Sequence, residues 1–312
     1  MKNIITTDTT TTPKAAMTDL DAALLAGQCA PSTISMYQRD AAAYIAWCKS
    51  AGVAPVDSIS LARWRTHLAT ATTMSPNTIN RMLSAVKRIV REGASQGFTT
   101  QENAAQFKQV AGVRKVAMKE RTRPHNRVRI TPADMRRMCD APDTSTPVGL
   151  RDAALLATLA STGARIASIA GLTIGQVAKQ GRGYIVSIMG KNESEYRPVP
   201  LTVEAHKAIM AWVASRPAMS QHVFTSFSGR GNRATTEPMS EVSAWRTVQR
   251  YAAQVGLAHI KPHDFRRFVG TQLATRKGVH IAQQVLGHKD PRTTLQNYVL
   301  SDMAEDVTEG LY

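Results

Sequence analysis

Apolar residues recur along this chain at helical spacing far more often than at strand spacing. From Pro31, the positions Ile34, Tyr37, Ala41, Ile45 and Cys48 lie on one stripe of a 3.6-residue repeat, which predicts a helix closed at Ala51-Gly52. A shorter helix is expected over 61–70, carrying Arg63, Trp64 and Arg65. A third opens at Ser75-Pro76-Asn77, where proline suits the first turn. Its core stripe is Ile79, Met82, Leu83, Val86, Ile89 and Val90, and Arg81, Lys87, Arg88 and Arg91 stand on other faces. Such a charged face is either solvated or laid against phosphate; four bases with no acid before Glu92 favour phosphate.

Periodicity then lapses. Between Arg114 and Arg129 stand seven bases (Arg114, Lys115, Lys119, Arg121, Arg123, Arg127, Arg129) and one acid, Glu120, with Pro124 among them. This segment reads as an interdomain linker along a nucleic-acid backbone, or as a connector that is merely basic. The pattern resumes at Thr131-Pro132-Ala-Asp134, a capping threonine, a first-turn proline and an acid at the positive end of the helix dipole. An alanine- and leucine-rich buried helix covers 150–161 and stops at Thr162-Gly163, and Arg165 starts a short helix to Leu172. Period two marks 184–189 and 196–201, a hairpin around a Gly-Lys-Asn-Glu turn and the only strands expected. Helices follow over 202–215 and 240–255, then 263–277, 280–286 and 291–298. Gly229-Arg-Gly-Asn reads as a flexible loop rather than a nucleotide-binding fingerprint, with no strand expected before it and no helix directly after it.

The organisation expected is therefore a threonine-rich disordered leader (1–18), a helical domain (19–113), the basic linker (114–129) and a second, mostly helical domain (130–312). A length of 312 residues suits two domains. Composition adds chiefly the sign of the charge: 39 Lys+Arg against 23 Asp+Glu, a formal +16. That surplus repels itself unless an anion neutralises it. Nucleic acid fits, and no long apolar run suggests a membrane span. Cys29, Cys48 and Cys139 are scattered, without ligand spacing, and read as small buried fillers in a reducing cytoplasm. Met1 to Lys14 lacks the apolar core of a secretory signal.

Candidate chemistry gathers at the C-terminal end. Lys261-Pro-His-Asp-Phe-Arg266 sets His263 and Arg266 three residues apart, on one helical face. Leu286-Gly-His288 and Tyr298 follow. Cleaving a phosphodiester without a metal needs a nucleophile, cationic donors for the non-bridging oxygens, an acid for the leaving 5′-hydroxyl and a proton acceptor at the nucleophile. Arginine suits phosphate because its fork donates two parallel hydrogen bonds and stays charged. Arg165 and Arg266 fit that role, Lys191 at the hairpin tip fits the acid, His263 and His288 fit donors or proton carriers, and Tyr298 fits the nucleophile. Each residue alone has an ordinary reading: Lys191 a solvated tip, His263 a helix cap, Tyr298 a half-buried aromatic. Those readings leave the ordered set unexplained. The other histidines receive no role, and Arg267 is expected to face DNA backbone or solvent.

The set Thr162-Gly-Ala-Arg165, Gly190-Lys191, His263-x-x-Arg266, Leu286-Gly-His288 and Tyr298 resembles the tyrosine recombinases, or phage integrase family, over about residues 20–305. The resemblance implies a mainly α, two-domain DNA clamp: a helical, SAM-like core-binding domain and a mostly helical catalytic domain with a small β-hairpin. It implies that Arg165 and Arg266 clamp the scissile phosphate, Lys191 protonates the 5′-oxygen, His263 handles the tyrosine proton, and His288 bonds a phosphate oxygen. Tyr298 becomes linked to the 3′-phosphate. It further implies double-stranded DNA with inverted-repeat core sites and a homotetramer on two duplexes, passing through a Holliday junction. The C-terminal tail docks on a neighbouring protomer, no metal, ATP or other cofactor takes part, and the work is done at the nucleoid. The short leader places the chain with the simpler Xer or Cre type. Arg81, Lys87, Arg88, Arg91, Arg121, Arg123 and Arg127 are the expected DNA contacts. Related alternatives are a type IB topoisomerase and a DNA-binding regulator with impaired catalysis. Three departures stand out. Ser168 occupies a position where the family commonly has an acid, and Ala164 one where a larger apolar residue is usual. The interval from His288 to Tyr298 is ten residues, one longer than the family's usual spacing. One extra residue turns a helical side chain by about 100°.

Overall fold

The computed structural model describes residues 20–121, 130–190, 195–229, 233–257 and 260–287. The leader, Arg123, Arg127, Lys191, His288, Tyr298, the 291–298 helix and the tail lie outside the described residues. The chain divides into two compact units, Met1–His125 and Asn126–Tyr312. The architecture is mainly α with small antiparallel sheets.

The first unit packs α1 (Pro31–Ala51), α2 (Ser58–Ala71), α3 (Pro76–Ser95) and α4 (Gln101–Gln109) behind a 3-10 turn at Ala22–Leu25. Local chemistry sets the boundaries. Gly52 ends α1 in the left-handed region (φ 64), Asp57 caps α2 through the Ile59 N–H, and Ser75 caps α3 through the Thr78 N–H. Every residue of the expected α3 stripe is buried, so α3 is the central helix, packed against α1, α2 and α4 around Tyr44, Trp64 and Phe107.

One boundary moves. Lys115–Arg121 forms a 3-10 helix whose Met118 is buried in the first unit's core. Arg121 Nη2 donates to the Ala69 carbonyl at 2.7 Å. The first half of the expected linker is thus part of the first unit. One methionine among bases is too weak a periodic signal to reveal this.

The second unit runs α5 (Pro132–Asp140), α6 (Pro147–Thr162), α7 (Ile166–Ala170), β1 (Val177–Gln180), β2 (Gly183–Met189), β3 (Tyr196–Leu201), α8 (Val203–Ser215), β4 (Thr225–Ser228), β5 (Arg233–Pro238), α9 (Glu241–Gln254), α10 (Pro262–Lys277) and α11 (Val279–Leu286). The expected β2–β3 hairpin is present, with Tyr184 opposite Leu201 and Met189 opposite Tyr196. It carries β1 as a third antiparallel strand, and β4–β5 forms a separate hairpin. The reading of only two strands is corrected: a strand does precede Gly229, and its antiparallel partner follows the loop. The nucleotide-binding fingerprint still does not apply, because the following element is a strand. These extra strands were missed because Thr-Ser-Phe-Ser and Val-Ala-Lys-Gln are short and mostly polar. The core centres on α6, which packs against α8 and α10 through Leu155, Leu156, Leu159, Trp212 and Phe265.

Candidate active site

The Thr162-Gly-Ala-Arg165 motif is a helix ending that turns one residue outward. Thr162 Oγ1 donates to the Thr158 carbonyl at 2.7 Å and accepts from the Ala164 N–H at 3.2 Å. Gly163 then takes φ +59, and its N–H closes α6 on the Leu159 carbonyl. Two constraints select glycine here. A Cβ would be strained at that φ and would stand 2.9 Å from Val269 Cβ and 3.0 Å from Leu286 Cδ2. The end of α6 can therefore approach α10 and α11 closely. Ala164 is buried behind the turn, and Arg165 emerges exposed as the N-cap of α7.

Arg266 is held where two helix ends meet. It is 2% exposed; Nη1 donates to the Gly163 carbonyl at 2.9 Å and Nη2 to the Leu286 carbonyl at 2.5 Å. These carbonyls close α6 and α11, where orphaned acceptors and the helix dipoles both favour a cation. The guanidinium is therefore locked in orientation before any substrate arrives. Gly163 also links the two arginines: its carbonyl receives Arg266, and Arg165 follows two residues later.

His263 occupies the first turn of α10, one residue after Pro262. The Asp264 carboxylate accepts from the Lys261 N–H at 2.8 Å, fixing the start of the helix. The pKa of His263 lies below the ordinary histidine value. Desolvation is the largest cause, followed by the positive charges of Arg267, Arg266 and Arg165, against Asp264 alone pulling upward. The residue is exposed at the surface at the start of α10. Both effects favour the neutral imidazole, able to accept a proton. Arg266 lies three residues after His263 in α10, and its bond to the Gly163 carbonyl brings it to the turn from which Arg165 emerges.

The expectation for Arg267 is corrected. It is half-buried, and its Nη1 pairs with Asp264 at 3.1 Å. At i, i+3 spacing this pair braces the first turn that carries His263. Ser168, standing in place of an acid, donates from Oγ to the Met189 carbonyl at 3.4 Å, at the end of β2. Lys191 follows in the sequence between β2 and β3.

One contributor escaped the sequence reading. Arg197 of β3 donates from Nη1 to the Val285 carbonyl at 2.7 Å and more weakly to Gln284 at 3.4 Å. A lone arginine in a short alternating strand gives no hint of a partner about ninety residues away.

Among the expected DNA contacts in the first unit, Arg91 is exposed. Arg81 pairs with buried Asp40, Lys87 donates to the Val110 carbonyl, and Arg88 donates to Gln28 at 2.6 Å. Desolvation, then the charge of Arg65, lowers the Lys87 pKa. Internal contacts thus shape this face as well as its charge.

The chain thus joins a helical N-terminal unit to a second unit that carries arginines and a histidine near the ends of α6, α10 and α11. The sequence pattern of the phage integrase family matches residues 128–305, and that of the N-terminal SAM-like domain of phage integrases matches residues 20–97. The chain belongs to the phage integrase family. It is 36% identical over 172 residues to a tyrosine recombinase XerD of Neisseria meningitidis serogroup A, covering 53% of this chain and 56% of that protein. In that match the chain spans about half the length of its relative. A XerD of Corynebacterium glutamicum is 26% identical over 303 residues, covering 90% of this chain and 92% of that one. Among solved structures, the XerH site-specific recombinase bound to palindromic difH substrate superposes with a TM-score of 0.66 at 17% identity, over 86% of this chain and 77% of that one. The Tn1549 transposon integrase in complex with circular intermediate DNA gives 0.60 at 18%, over 90% and 94%. At these identities the structural likeness establishes the fold. Among the described residues, no helix is long and apolar enough to cross a membrane.

Proposed function

We propose that the chain is a site-specific DNA recombinase that breaks and rejoins strands through a 3′-phosphotyrosyl intermediate. One observation carries the reading: Arg165, His263 and Arg266, spread over a hundred residues of sequence, act on one locality at the ends of α6, α10 and α11. Family membership and DNA-bound structural neighbours support it.

The chemistry follows from the side chains. Arg165 and Arg266 bind the non-bridging oxygens of the scissile phosphate, with His288 as a further donor. The Tyr298 oxygen attacks phosphorus, forming a tyrosyl O–P bond as the P–O5′ bond breaks. Neutral His263 takes the phenolic proton, and Lys191 delivers a proton to the departing 5′-oxygen. The bond energy is conserved in the phosphotyrosine, so a 5′-hydroxyl from a second duplex can reverse the step.

The partner is double-stranded DNA with inverted-repeat core sites. Four copies act on two duplexes and exchange strands in pairs through a Holliday junction, each C-terminal tail docking on a neighbouring protomer. Phosphate contacts fall to Arg91, Arg88, Arg81, Lys87, Arg121 and Arg123 in the first unit and to Arg127 in the second. The reaction draws on the chain's own side chains and takes place on DNA inside the cell.

The test is a nicked duplex, selected from a random pool for tight binding, in which cleavage releases a short fragment bearing the 5′-hydroxyl and traps the adduct. The unsubstituted protein forms a covalent complex, and Tyr298→Phe binds without forming one. Strand exchange between two such duplexes separates recombination from simple relaxation. Binding without an adduct in the unsubstituted protein refutes the reading.

A further inference from the structure

We propose that the cleft between the start of α6, β4 and α9 is a second phosphate-binding site, in which Arg246 and Arg250 take a phosphodiester of the bound duplex other than the one that is cut. The proposal rests on the DNA-binding part of the reading above and is independent of cleavage.

The cleft has a volume of about 450 Å³, and its walls include Arg151, Arg246, Arg250, Ser243, Thr247 and Phe227. One carboxylate answers the three arginines. Asp152 is 0% exposed. It accepts from Arg151 Nε at 2.9 Å, from Arg151 Nη2 at 2.8 Å and from the Tyr251 hydroxyl at 3.2 Å, and it pairs with Arg250. Two guanidinium groups thus share a single negative charge. The third, exposed Arg246, has no hydrogen bond or ion pair among the described residues. The walls therefore carry two positive charges in excess. Arg246 and Arg250 stand four residues apart on one face of α9, where like charges repel. An anion between them replaces that repulsion with attraction, and phosphate has the oxygens to meet two guanidinium forks.

The cleft is already ordered. Arg250 is held by Asp152 and lies 4.8 Å over the Tyr251 ring, yet its side chain is 48% exposed. Deeper in, Arg151 donates from Nη1 to the Thr225 carbonyl at 3.2 Å and lies 4.7 Å over the Phe227 ring. All three of its nitrogens already donate, so it contributes its field rather than a contact. Thr247 is 4% exposed, and its hydroxyl makes no hydrogen bond among the described residues. A buried hydroxyl without a partner is costly, and a phosphate oxygen in the cleft would supply one.

Position separates this cleft from the clamp. Arg151 lies in the second turn of α6, and Gly163 caps its far end. At 1.5 Å per residue that interval is about 18 Å, the rise of about five base pairs. One phosphate cannot serve both places, whereas a duplex offers one to each.

The shared chemistry is a phosphate anion, from DNA or free in solution, and two measurements separate the sources. The first is binding of the selected duplex and of an unrelated duplex across a salt series, followed by fluorescence anisotropy. One phosphate contact accounts for about 0.9 in the slope of log affinity against log salt, so the affinity lost in Arg246→Ala should be about threefold greater at 50 mM than at 200 mM salt. The loss should be equal on both duplexes, and Arg246→Lys, which keeps the charge, should restore the slope. The slope does not depend on the active fraction of a preparation, so partial misfolding cannot imitate the result. An unchanged slope in Arg246→Ala, or a loss confined to the selected duplex, overturns the proposal. The second measurement is the melting temperature of the free protein with added inorganic phosphate. A rise that Arg246→Ala abolishes, with the DNA slope unchanged, assigns the cleft to free phosphate and overturns the DNA assignment. An unsubstituted protein that binds neither duplex overturns the DNA-binding reading, and this proposal with it.

Discussion

Substituting Gly163 by alanine tests whether the end of α6 governs the site. Two separate penalties apply. An L-residue in the left-handed region costs about 1–2 kcal/mol. The added methyl also meets Val269 Cβ at 2.9 Å, Leu286 Cδ2 at 3.0 Å and Val269 Cγ1 at 3.1 Å. These neighbours belong to two different helices, so relief requires α6 to move away from α10 and α11, and such overpacking costs about 1–3 kcal/mol. The sum is about 2–5 kcal/mol, or roughly 5–15 °C in melting temperature for a unit of this size. Gly256→Ala is the control: its φ is +78, with nothing within 4 Å of the added Cβ, so only the first penalty applies. Calorimetric melting of the three proteins should show the Gly163 variant well below the Gly256 variant. Cleavage should also fall further than DNA binding, because Arg266 is bonded to the displaced carbonyl. Equal melting temperatures for the two variants would refute the close approach on which the site's geometry depends.

Arg165→Ala and Arg266→Ala should each lower cleavage by about 10²–10³-fold while retaining most DNA affinity. Only Arg266→Ala should also depress the melting temperature, since it leaves carbonyls at Gly163 and Leu286 without that donor; unchanged cleavage in either variant refutes the clamp. His263 in the free protein should titrate below the ordinary histidine value of 6.5 by NMR, and Arg267→Ala should raise it, Arg267 being the largest charge contribution. The unfolded chain then protonates first as the pH falls through 6.5, so stability declines from there down to the depressed folded value, a decline that His263→Gln should reduce, leaving the share of His206, whose pKa burial also lowers. A His263 titrating above 6.5 contradicts the desolvation and cation effects. Asp152, 0% exposed, accepts from Arg151 at 2.8 and 2.9 Å and from Tyr251 at 3.2 Å, and it pairs with Arg250. Asp152→Ala strands the buried Arg151 charge and should cost about 3–5 kcal/mol in urea unfolding; a loss below about 1 kcal/mol would show the pair to be dispensable.

The parts of this molecule that were legible beforehand are those whose signal is local. The α3 stripe, the helix starts at Ser75 and Thr131, and the stop at Gly163 depend on residues within one or two turns, and they read correctly. The alternation over 184–189 and 196–201 likewise marked both strands of the hairpin. Parts that depend on distant partners did not read. Arg81 finds Asp40 forty-one residues away, and Arg197 finds Val285 eighty-eight residues away. Arg267, placed outward by helical geometry alone, is drawn inward by Asp264. The β4–β5 hairpin escaped because its strands are rich in serine and threonine, and their stability comes from pairing with one another. In the site itself, residue types and order pointed to phosphate chemistry. How Arg266 is oriented, by carbonyls from two other helices, depends on packing that no single segment encodes.

The central claim is that Arg165, His263 and Arg266 serve one phosphate. A crystal structure of Tyr298→Phe bound to its intact duplex tests it most directly. The account predicts a single scissile phosphate within hydrogen-bond reach of both guanidinium groups, with the His263 ring beside it. A phosphate backbone that passes these residues without approaching any of them, or that reaches Arg165 and Arg266 with different phosphates, would contradict it.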